Sequence, residues 1–200
     1  SVDNTAKVWN SASGACKRTL KGHTDCVFSA CFSPDGSKIV TASYDKTAKV
    51  WNIASGECER TLEGHEYCAT SACFSPDGTK IVTASYDKTA KVWHVCSGAC
   101  ERTLKGHKHS VFSACFSPDG TKIVTASADL TAKIWHVCSG ECERTLKGHT
   151  FFIRSACFSP DGSTIVTASA DKTAKIWDVC SGECEHTLKG HTDMVRSACF

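Results

Sequence analysis

Four side chains with functional chemistry recur in a fixed order along the chain: a His, a Thr, an Asp and a Trp. The first set is His23, Thr41, Asp45 and Trp51. A hydroxyl, an imidazole and a carboxylate are also the parts of a hydrolytic triad, in which the imidazole takes the proton of the hydroxyl. A catalytic site is expected once in a chain, whereas this set returns in every repeat. We therefore predict no catalytic residues and no enzyme activity.

Cysteine is the second reactive residue type, with 15 copies in 200 residues. Many of these residues keep a fixed spacing, and three CxxxC pairs flank Ser-Gly turns. A disulfide within each pair is an alternative that the spacing leaves open, but we favour the interpretation that the residues are small buried hydrophobes. Structural zinc sites usually contain CxxC ligands, which are absent here, so we predict no metal and no cofactor. The pairs are Cys96 and Cys100, Cys138 and Cys142, and Cys180 and Cys184.

Charge and hydropathy argue against two classes of partner. Lys and Arg number 23 and Asp and Glu number 21, a balance without the basic excess typical of nucleic-acid binding. No apolar run approaches the roughly 18 residues needed to cross a bilayer, so we predict no membrane partner. The chain starts at Ser1 without an initiator Met, and we expect further domains of a longer chain outside it. A cytoplasmic location is the accompanying expectation.

The elements that position these residues repeat every 42 residues, as Gly22 and Gly64 of successive Gly-His pairs show. Each period predicts four short strands and no helix, with a Ser-Pro-Asp-Gly turn after the first strand. An isolated four-stranded sheet leaves apolar surface on both faces, so the repeats must stack on one another. The strands predicted in the first complete period are Val27 to Phe32, Lys38 to Ser43, Thr47 to Trp51 and Cys58 to Leu62.

Gly-His at the start of each period, Ser-Pro-Asp-Gly in its middle and Trp near its end make the chain resemble the WD40 repeat family. The resemblance covers the whole chain and implies an all-β fold, the WD40 β-propeller with four-stranded blades. Trp is followed by Asp only at Asp178, a departure at a strand end that leaves this fold intact. Most WD40 propellers are rings of seven blades, so the resemblance implies that this chain is part of such a ring. A ring of five blades is the alternative. The expected blades are about 24–64, 66–106, 108–148 and 150–190, with partial blades of two strands at 1–22 and of one strand at 192–200.

The resemblance gives the recurring polar set a structural role. In WD40 domains these four residues form a buried hydrogen-bond chain within a blade. Such groups satisfy one another when buried, and losing a buried Trp would cost roughly 3–5 kcal/mol. The equivalent sets here are His65, Thr83, Asp87 and Trp93; His107, Thr125, Asp129 and Trp135; and His149, Thr167, Asp171 and Trp177.

The copies differ mainly in two short segments. The first is the five residues after Gly-His, of which only the fourth, such as Val27, stays apolar. Because side chains alternate along a strand, the fourth residue should face the core and the third and fifth should face the other way. The second segment is the pair that brackets the turn Asp. In a WD40 blade both segments open on the same top face around the central channel, so the resemblance implies that they converge.

Aromatic residues, Met and Arg at the variable positions are types enriched in interface cores. Drift of exposed loops is the alternative, but it predicts equal drift in the Ser-Pro-Asp-Gly turn, which is constant. We therefore predict a binding face. Its residues are Asp25, Cys26, Phe28, Tyr44, Lys46, Tyr67, Cys68, Thr70, Tyr86, Lys88, His109, Ser110, Phe112, Leu130, Phe151, Phe152, Arg154, Asp193, Met194 and Arg196.

The leading hypothesis is a non-catalytic scaffold that binds a protein or a peptide through this face. Near-identical repeats that vary at these positions also resemble the WD40 arrays of fungal NACHT-type non-self-recognition proteins, which implies the sensor part of a larger signalling protein. The second hypothesis is an architectural assembly scaffold that binds through its rim or bottom face. An accessory domain of an enzyme is the third.

Overall fold

The computed structural model describes residues 1–200 and consists of strands joined by turns and short loops. No helix of the structure has the length and apolar character needed to span a bilayer. The strands form a hairpin and four four-stranded sheets, which we number I to IV in chain order.

The hairpin contains β1 (Thr5–Trp9) and β2 (Cys16–Lys21). Sheet I contains β3 (Val27–Phe32), β4 (Lys38–Ser43), β5 (Ala48–Asn52) and β6 (Cys58–Leu62). Sheet II contains β7 (Ala69–Phe74), β8 (Lys80–Ser85), β9 (Thr89–His94) and β10 (Cys100–Lys105). Sheet III contains β11 (Val111–Phe116), β12 (Lys122–Ser127), β13 (Thr131–His136) and β14 (Cys142–Lys147). Sheet IV contains β15 (Ile153–Phe158), β16 (Thr164–Ser169), β17 (Ala174–Asp178) and β18 (Cys184–Leu188).

Each sheet is an antiparallel meander in which chain neighbours pair in order. The tight turn between the first two strands ends in a Gly with positive φ, which is 70° at Gly36. Gly36 also donates its N–H to the Ser33 carbonyl at 2.9 Å. A residue with a Cβ would be strained in this conformation, which explains the Gly in every copy of the turn. The predicted all-β fold with four complete four-stranded sheets is confirmed.

The apolar core lies between consecutive sheets. Between sheets I and II, Val40 and Val50 pack in one cluster with Phe74 and Ile81, and sheets II and III share an equivalent cluster. Burying a side chain of this size stabilises the fold by about 1.5–3 kcal/mol. An isolated sheet would expose these side chains, so each sheet depends on its neighbour for its core.

Strand bounds in sheet I follow the prediction except in the third strand, which runs from Ala48 to Asn52 and so starts and ends one residue later. Thr47 donates its N–H and its hydroxyl to the Asp45 carboxylate, at 3.0 and 2.7 Å. The equivalent Thr89 and Thr131 make the same two bonds and begin their strands, so the turn carboxylate alone does not set where the strand begins.

Residues at the two ends of the chain pack on sheets I and IV. In the hairpin, Val8 and Leu20 join Ile39 and Trp51 in one apolar cluster. Residues 192–200 run beside sheet IV, where Val195 donates its N–H to the Ser169 carbonyl at 2.9 Å. The strand predicted at 192–200 is absent, because no strand pairs with this segment to form a ladder of backbone hydrogen bonds.

Candidate functional site

The two variable segments of each sheet meet at one edge, where the second strand turns into the third. The residue before the turn Asp donates its N–H to the carbonyl of the third residue after Gly-His, as from Tyr44 to Cys26 at 2.8 Å. The Ser43 hydroxyl adds a bond to the Asp25 carbonyl at 2.9 Å. The same N–H bond joins Tyr86 to Cys68, Ala128 to Ser110 and Ala170 to Phe152. We call this surface the variable face; it comprises residues 24–28, 66–70, 108–112 and 150–154 with positions 44, 46, 86, 88, 128, 130, 170 and 172.

The fifth residue after each Gly-His is the extra residue of a β-bulge. In sheet I, Val27 pairs with Ser43 and Ser29 pairs with Ala42, so Phe28 between them has no partner. A bulge redirects the side chain of the extra residue. Strict alternation of side chains along the strand did not predict this bulge. The equivalent residues of sheets II to IV are Thr70, Phe112 and Arg154.

The residue after each turn Asp has a left-handed backbone conformation. Its φ is 71° at Lys46 and Lys172 and 68° at Lys88 and Leu130. Such values are uncommon for residues other than Gly, Asn and Asp. Lys and Leu do not signal this conformation, so the sequence analysis missed it. All four side chains are exposed on the variable face.

Aromatic rings join the variable positions of sheets II, III and IV. The Tyr86 ring lies 5.9 Å from that of Phe112, and the Phe112 ring lies 6.4 Å from that of Phe152. The Phe151 and Phe152 rings are 4.4 Å apart, and the Arg154 guanidinium lies 4.7 Å from the centre of the Phe112 ring. These distances are typical of favourable aromatic and cation–π contacts. The structure therefore brings these predicted residues together across three sheets.

Sheets I and II form a second group of contacts. The Phe28 and Tyr44 rings are 5.9 Å apart, and the Lys46 ammonium lies 6.0 Å from the centre of the Tyr67 ring. The Cys68 thiol beside Tyr44 raises the pKa of that phenol. Cys68 itself is only 6% exposed. Its prediction as a contact residue is wrong, because the side chain is covered within the fold.

Thr70 and the residues after Gly190 have surroundings that differ from those of the other predicted contact residues. The Thr70 hydroxyl donates to the Val111 carbonyl of the next sheet at 2.8 Å, so it links sheets II and III. Asp193, Met194 and Arg196 are exposed, and the Val195 bond to Ser169 places them beside the variable residues of sheet IV. The other predicted residues, including His109 and Ser110, are exposed or half-buried.

The His, Thr, Asp and Trp of each set form one hydrogen-bond chain. In the first set, His23 Nδ1 lies 2.7 Å from the Asp45 carboxylate and Nε2 lies 2.7 Å from the Thr41 hydroxyl. Trp51 Nε1–H donates to the same hydroxyl at 2.8 Å. Because an ionised carboxylate only accepts, Nδ1 carries the proton and Nε2 accepts from Thr41. The same contacts recur in the other three sets.

Burial and hydrogen bonding set the charges in this chain. Burial lowers the pKa of His23 and of His149 more than the neighbouring carboxylates raise it. At Asp171 burial raises the pKa, but hydrogen bonds from Thr173, from His149 and from a backbone N–H outweigh it and lower the pKa to about 2. The Thr hydroxyls are fully buried, as at Thr41. In the sets of His23 and His149, a neutral imidazole therefore lies between a carboxylate and a buried hydroxyl.

A polar seam between sheets explains the constant Ser-Ala-Cys-Phe segment, which the sequence analysis left without a role. The Ala72 N–H of sheet II donates to Ser29 Oγ of sheet I at 3.0 Å. One sheet on, the Ala114 N–H donates to Ser71 Oγ at 3.1 Å. The Cys73 thiol donates to the Ala114 carbonyl at 3.5 Å. The seam joins first strands of neighbouring sheets, so its residues must match across every interface.

All 15 Cys residues are free thiols, and no group of three or more His, Cys, Asp or Glu side chains could hold a metal ion. The favoured prediction of buried Cys in the CxxxC pairs is wrong, since Cys96 and Cys100 are both exposed. Cys96 lies in a surface turn, and Cys100 starts the fourth strand, which no further strand covers. The Cys100 thiol donates to the Arg102 carbonyl at 3.4 Å.

Comparison with known proteins matches this architecture. The family model described as "WD domain, G-beta repeat" matches residues 14–52, 56–94, 98–136 and 140–178. Each matched segment holds the last strand of one structural unit and the first three strands of the next. A curated relative, Ribosome assembly protein 4 of Chaetomium thermophilum, is 56% identical over 36 residues. That match covers 18% of this chain and 7% of the relative's length.

Proposed function

The chain belongs to the WD40 repeat family, and on that premise we propose that its variable face binds a protein or a peptide. WD40 domains generally serve as protein-binding scaffolds and are typically non-catalytic. The proposal goes further because it assigns the binding role to one surface. It also assigns the His, Thr, Asp and Trp sets to structure, since their hydroxyls are buried.

One observation supports this choice of surface above the others. Side chains that differ between nearly identical repeats are joined into one surface, both within sheets and across them. Several are large apolar groups that stay exposed, among them Tyr44 at 48%, Tyr67 at 59% and Phe151 at 49%. Exposed aromatic clusters are the usual anchors of protein interfaces. At the other end of the strands, the Ser-Pro-Asp-Gly turns are the same in every sheet.

A sensor role in a longer signalling protein is the finer part of the proposal. Repeats that share a constant frame and differ on one face allow a binding surface to change without loss of the fold. The match to Ribosome assembly protein 4 covers 36 residues, which are fewer than one repeat, so the proposal names no ribosomal partner.

The experiment starts with selection of binders from a displayed library of random 12-residue peptides on the intact chain. Affinities of the enriched peptides are then measured by fluorescence anisotropy for two triple variants. The face variant is Tyr44→Ala, Tyr86→Ala and Phe151→Ala. The control variant is Glu57→Ala, Glu141→Ala and Glu183→Ala, three exposed residues in turns at the opposite end of the strands.

We expect the face variant to lose at least about tenfold in affinity, since buried aromatic anchors each contribute more than 1 kcal/mol. The control variant should bind like the wild type. Equal binding by the face variant together with weakened binding by the control would instead support the architectural scaffold that binds at its rim or bottom. Circular dichroism melting curves establish that both variants are folded.

A further inference from the structure

Arg154 carries a positive charge on the variable face. It is the half-buried bulge residue of sheet IV, held 4.7 Å from the centre of the Phe112 ring. Most other Arg side chains donate to a backbone carbonyl, as Arg60 does to Cys96 and Arg144 to Cys180. Arg154 donates no hydrogen bond and forms no ion pair. Because no buried side-chain nitrogen lacks a partner, its unbonded N–H groups are open to solvent.

The aromatic stack fixes the guanidinium in place beside apolar surface. Phe112 lies under it, and Phe152 packs against Phe112. Phe151 and Phe152 are 49% and 37% exposed. A guanidinium held on a ring loses little rotamer entropy when it binds, and its planar fork matches a carboxylate with two parallel bonds. The site therefore combines an oriented anion receptor with an exposed aromatic anchor.

Charge on this part of the face favours an anion. Besides Arg154, the variable residues of sheets III and IV include the exposed cations Lys108 and Lys172. The turn carboxylates of these sheets are already bonded; those of Asp129 accept from His107, from Thr131 and from two backbone N–H groups. Asp193, in the segment after sheet IV, is the exposed acidic residue beside these cations, and the variable acidic residues Asp25 and Glu66 belong to sheets I and II.

We propose that Arg154 and the Phe112, Phe151 and Phe152 rings bind a peptide segment in which a carboxylate lies next to a large apolar side chain. The carboxylate accepts two parallel hydrogen bonds from the Arg154 guanidinium, and the apolar side chain packs on the rings. This inference rests on the proposed function and adds the chemistry of the partner. A nucleic acid fits less well, because the chain has a net charge of only +2 and lacks the basic excess that phosphate binding requires.

The test uses the peptides enriched on the wild-type chain. Each peptide is also made with Asp or Glu replaced by Asn or Gln, and dissociation constants are measured for wild type, Arg154→Gln and Arg154→Lys. Enriched peptides should contain an acidic residue within two positions of an aromatic residue or Leu. Arg154→Gln should weaken binding of the acidic peptide at least about tenfold. Arg154→Lys should weaken its binding too, because Lys lacks the planar fork. The amide peptide should bind both variants as weakly as it binds the wild type.

The matched control is Arg60→Gln, which removes an exposed Arg of the fourth strand of sheet I, outside the variable face, and should leave these affinities unchanged. If the face variant weakens binding of the enriched peptides but Arg154→Gln leaves their dissociation constants unchanged, this inference is overturned and the proposed function stands. If the face variant leaves the dissociation constants unchanged, or if the selection enriches no peptide, both are overturned. Tighter binding of a fluorescein-labelled 20-nucleotide oligouridine than of any peptide at the same salt would also overturn it.

Discussion

At the residue scale, the Thr of each polar set uses one oxygen for two buried hydrogen bonds. Thr125 Oγ1 accepts from Trp135 Nε1–H at 2.8 Å and lies 2.7 Å from His107 Nε2, to which it donates. No buried side-chain nitrogen or oxygen of the chain lacks a partner. Removal of this one hydroxyl would therefore leave two buried groups unsatisfied.

Replacement of Thr125 by the isosteric Val tests this role. We expect Thr125→Val to lower the free energy of unfolding by about 1–3 kcal/mol for each unsatisfied group. Thr125→Ser keeps the hydroxyl and should cost less. Urea unfolding of both variants provides the comparison, and equal midpoints for Val and Ser would contradict the assigned hydrogen bonds.

The pKa shifts in the same sets predict a two-stage loss of stability in acid. Burial lowers the pKa of His23 and His149 below 6.5, so the unfolded chain takes up protons first and stability falls as the pH drops below that value. The pKa of Asp171 is lowered to about 2, so its contribution is present above the ordinary Asp value and is lost as the pH falls towards 2. Urea midpoints measured from about pH 8 to pH 3 should show both stages. Asp171→Asn should reduce the fall of the urea midpoint below about pH 4. Midpoints that stay constant between pH 7 and pH 5 would contradict the buried neutral His.

At the scale of elements, the turn between the second and third strands keeps the same hydrogen bonds in every sheet but contains a variable residue with a strained backbone. Leu130 has a φ of 68° and is 36% exposed, whereas Lys or Asn occupies the equivalent place elsewhere. A left-handed conformation at such a residue costs on the order of 1 kcal/mol. An exposed apolar side chain kept at this cost is consistent with a contact role on the variable face.

Leu130→Asn should therefore stabilise the chain by about 1 kcal/mol, because Asn tolerates a positive φ. The expected rise in melting temperature is about 2–4 °C for a chain of this size. Leu130→Ala keeps the Cβ and the strain, so it should bring no such gain. A melting temperature lower for Asn than for Ala would show that the turn is not strained at this residue.

The strands could be predicted because the 42-residue repeat carries both the turn residues and the β-branched runs between them. The bulge at Phe28 could not, because a pattern of alternating side chains has no mark for an unpaired residue. The buried Cys68 lies beside Tyr44 of the preceding sheet, and the Arg154 stack depends on Phe112. Both are contacts between repeats, which spacing along the chain does not encode.

At the scale of the whole molecule, stability depends on each sheet's contact with the next. Apolar clusters span the interfaces from sheet I to sheet IV, and the Ser seam adds a directed polar bond at each one. In such arrays, stability is approximately a sum of repeat terms and nearest-neighbour interface terms. A change in one seam should therefore act locally.

Ser71→Ala tests this local action at the interface of sheets II and III. The Ala114 N–H donates to Ser71 Oγ, so its hydrogen exchange should become faster in the variant. The Ala156 N–H donates to Ser113 at the next interface and should keep its protection. Exchange measured by NMR reports both amides. Unchanged exchange at Ala114 would contradict the seam, and equal acceleration at both amides would contradict its local character.

The most direct measurement of the central claim is photo-cross-linking by an enriched peptide that carries a benzophenone side chain, followed by mass spectrometry. We predict cross-links within residues 24–28, 66–70, 108–112 and 150–154 and at the turn positions 44–46, 86–88, 128–130 and 170–172. Cross-links confined to the turns at the opposite end of the strands, such as 33–37 and 53–57, would contradict the claim that the variable face is the binding surface.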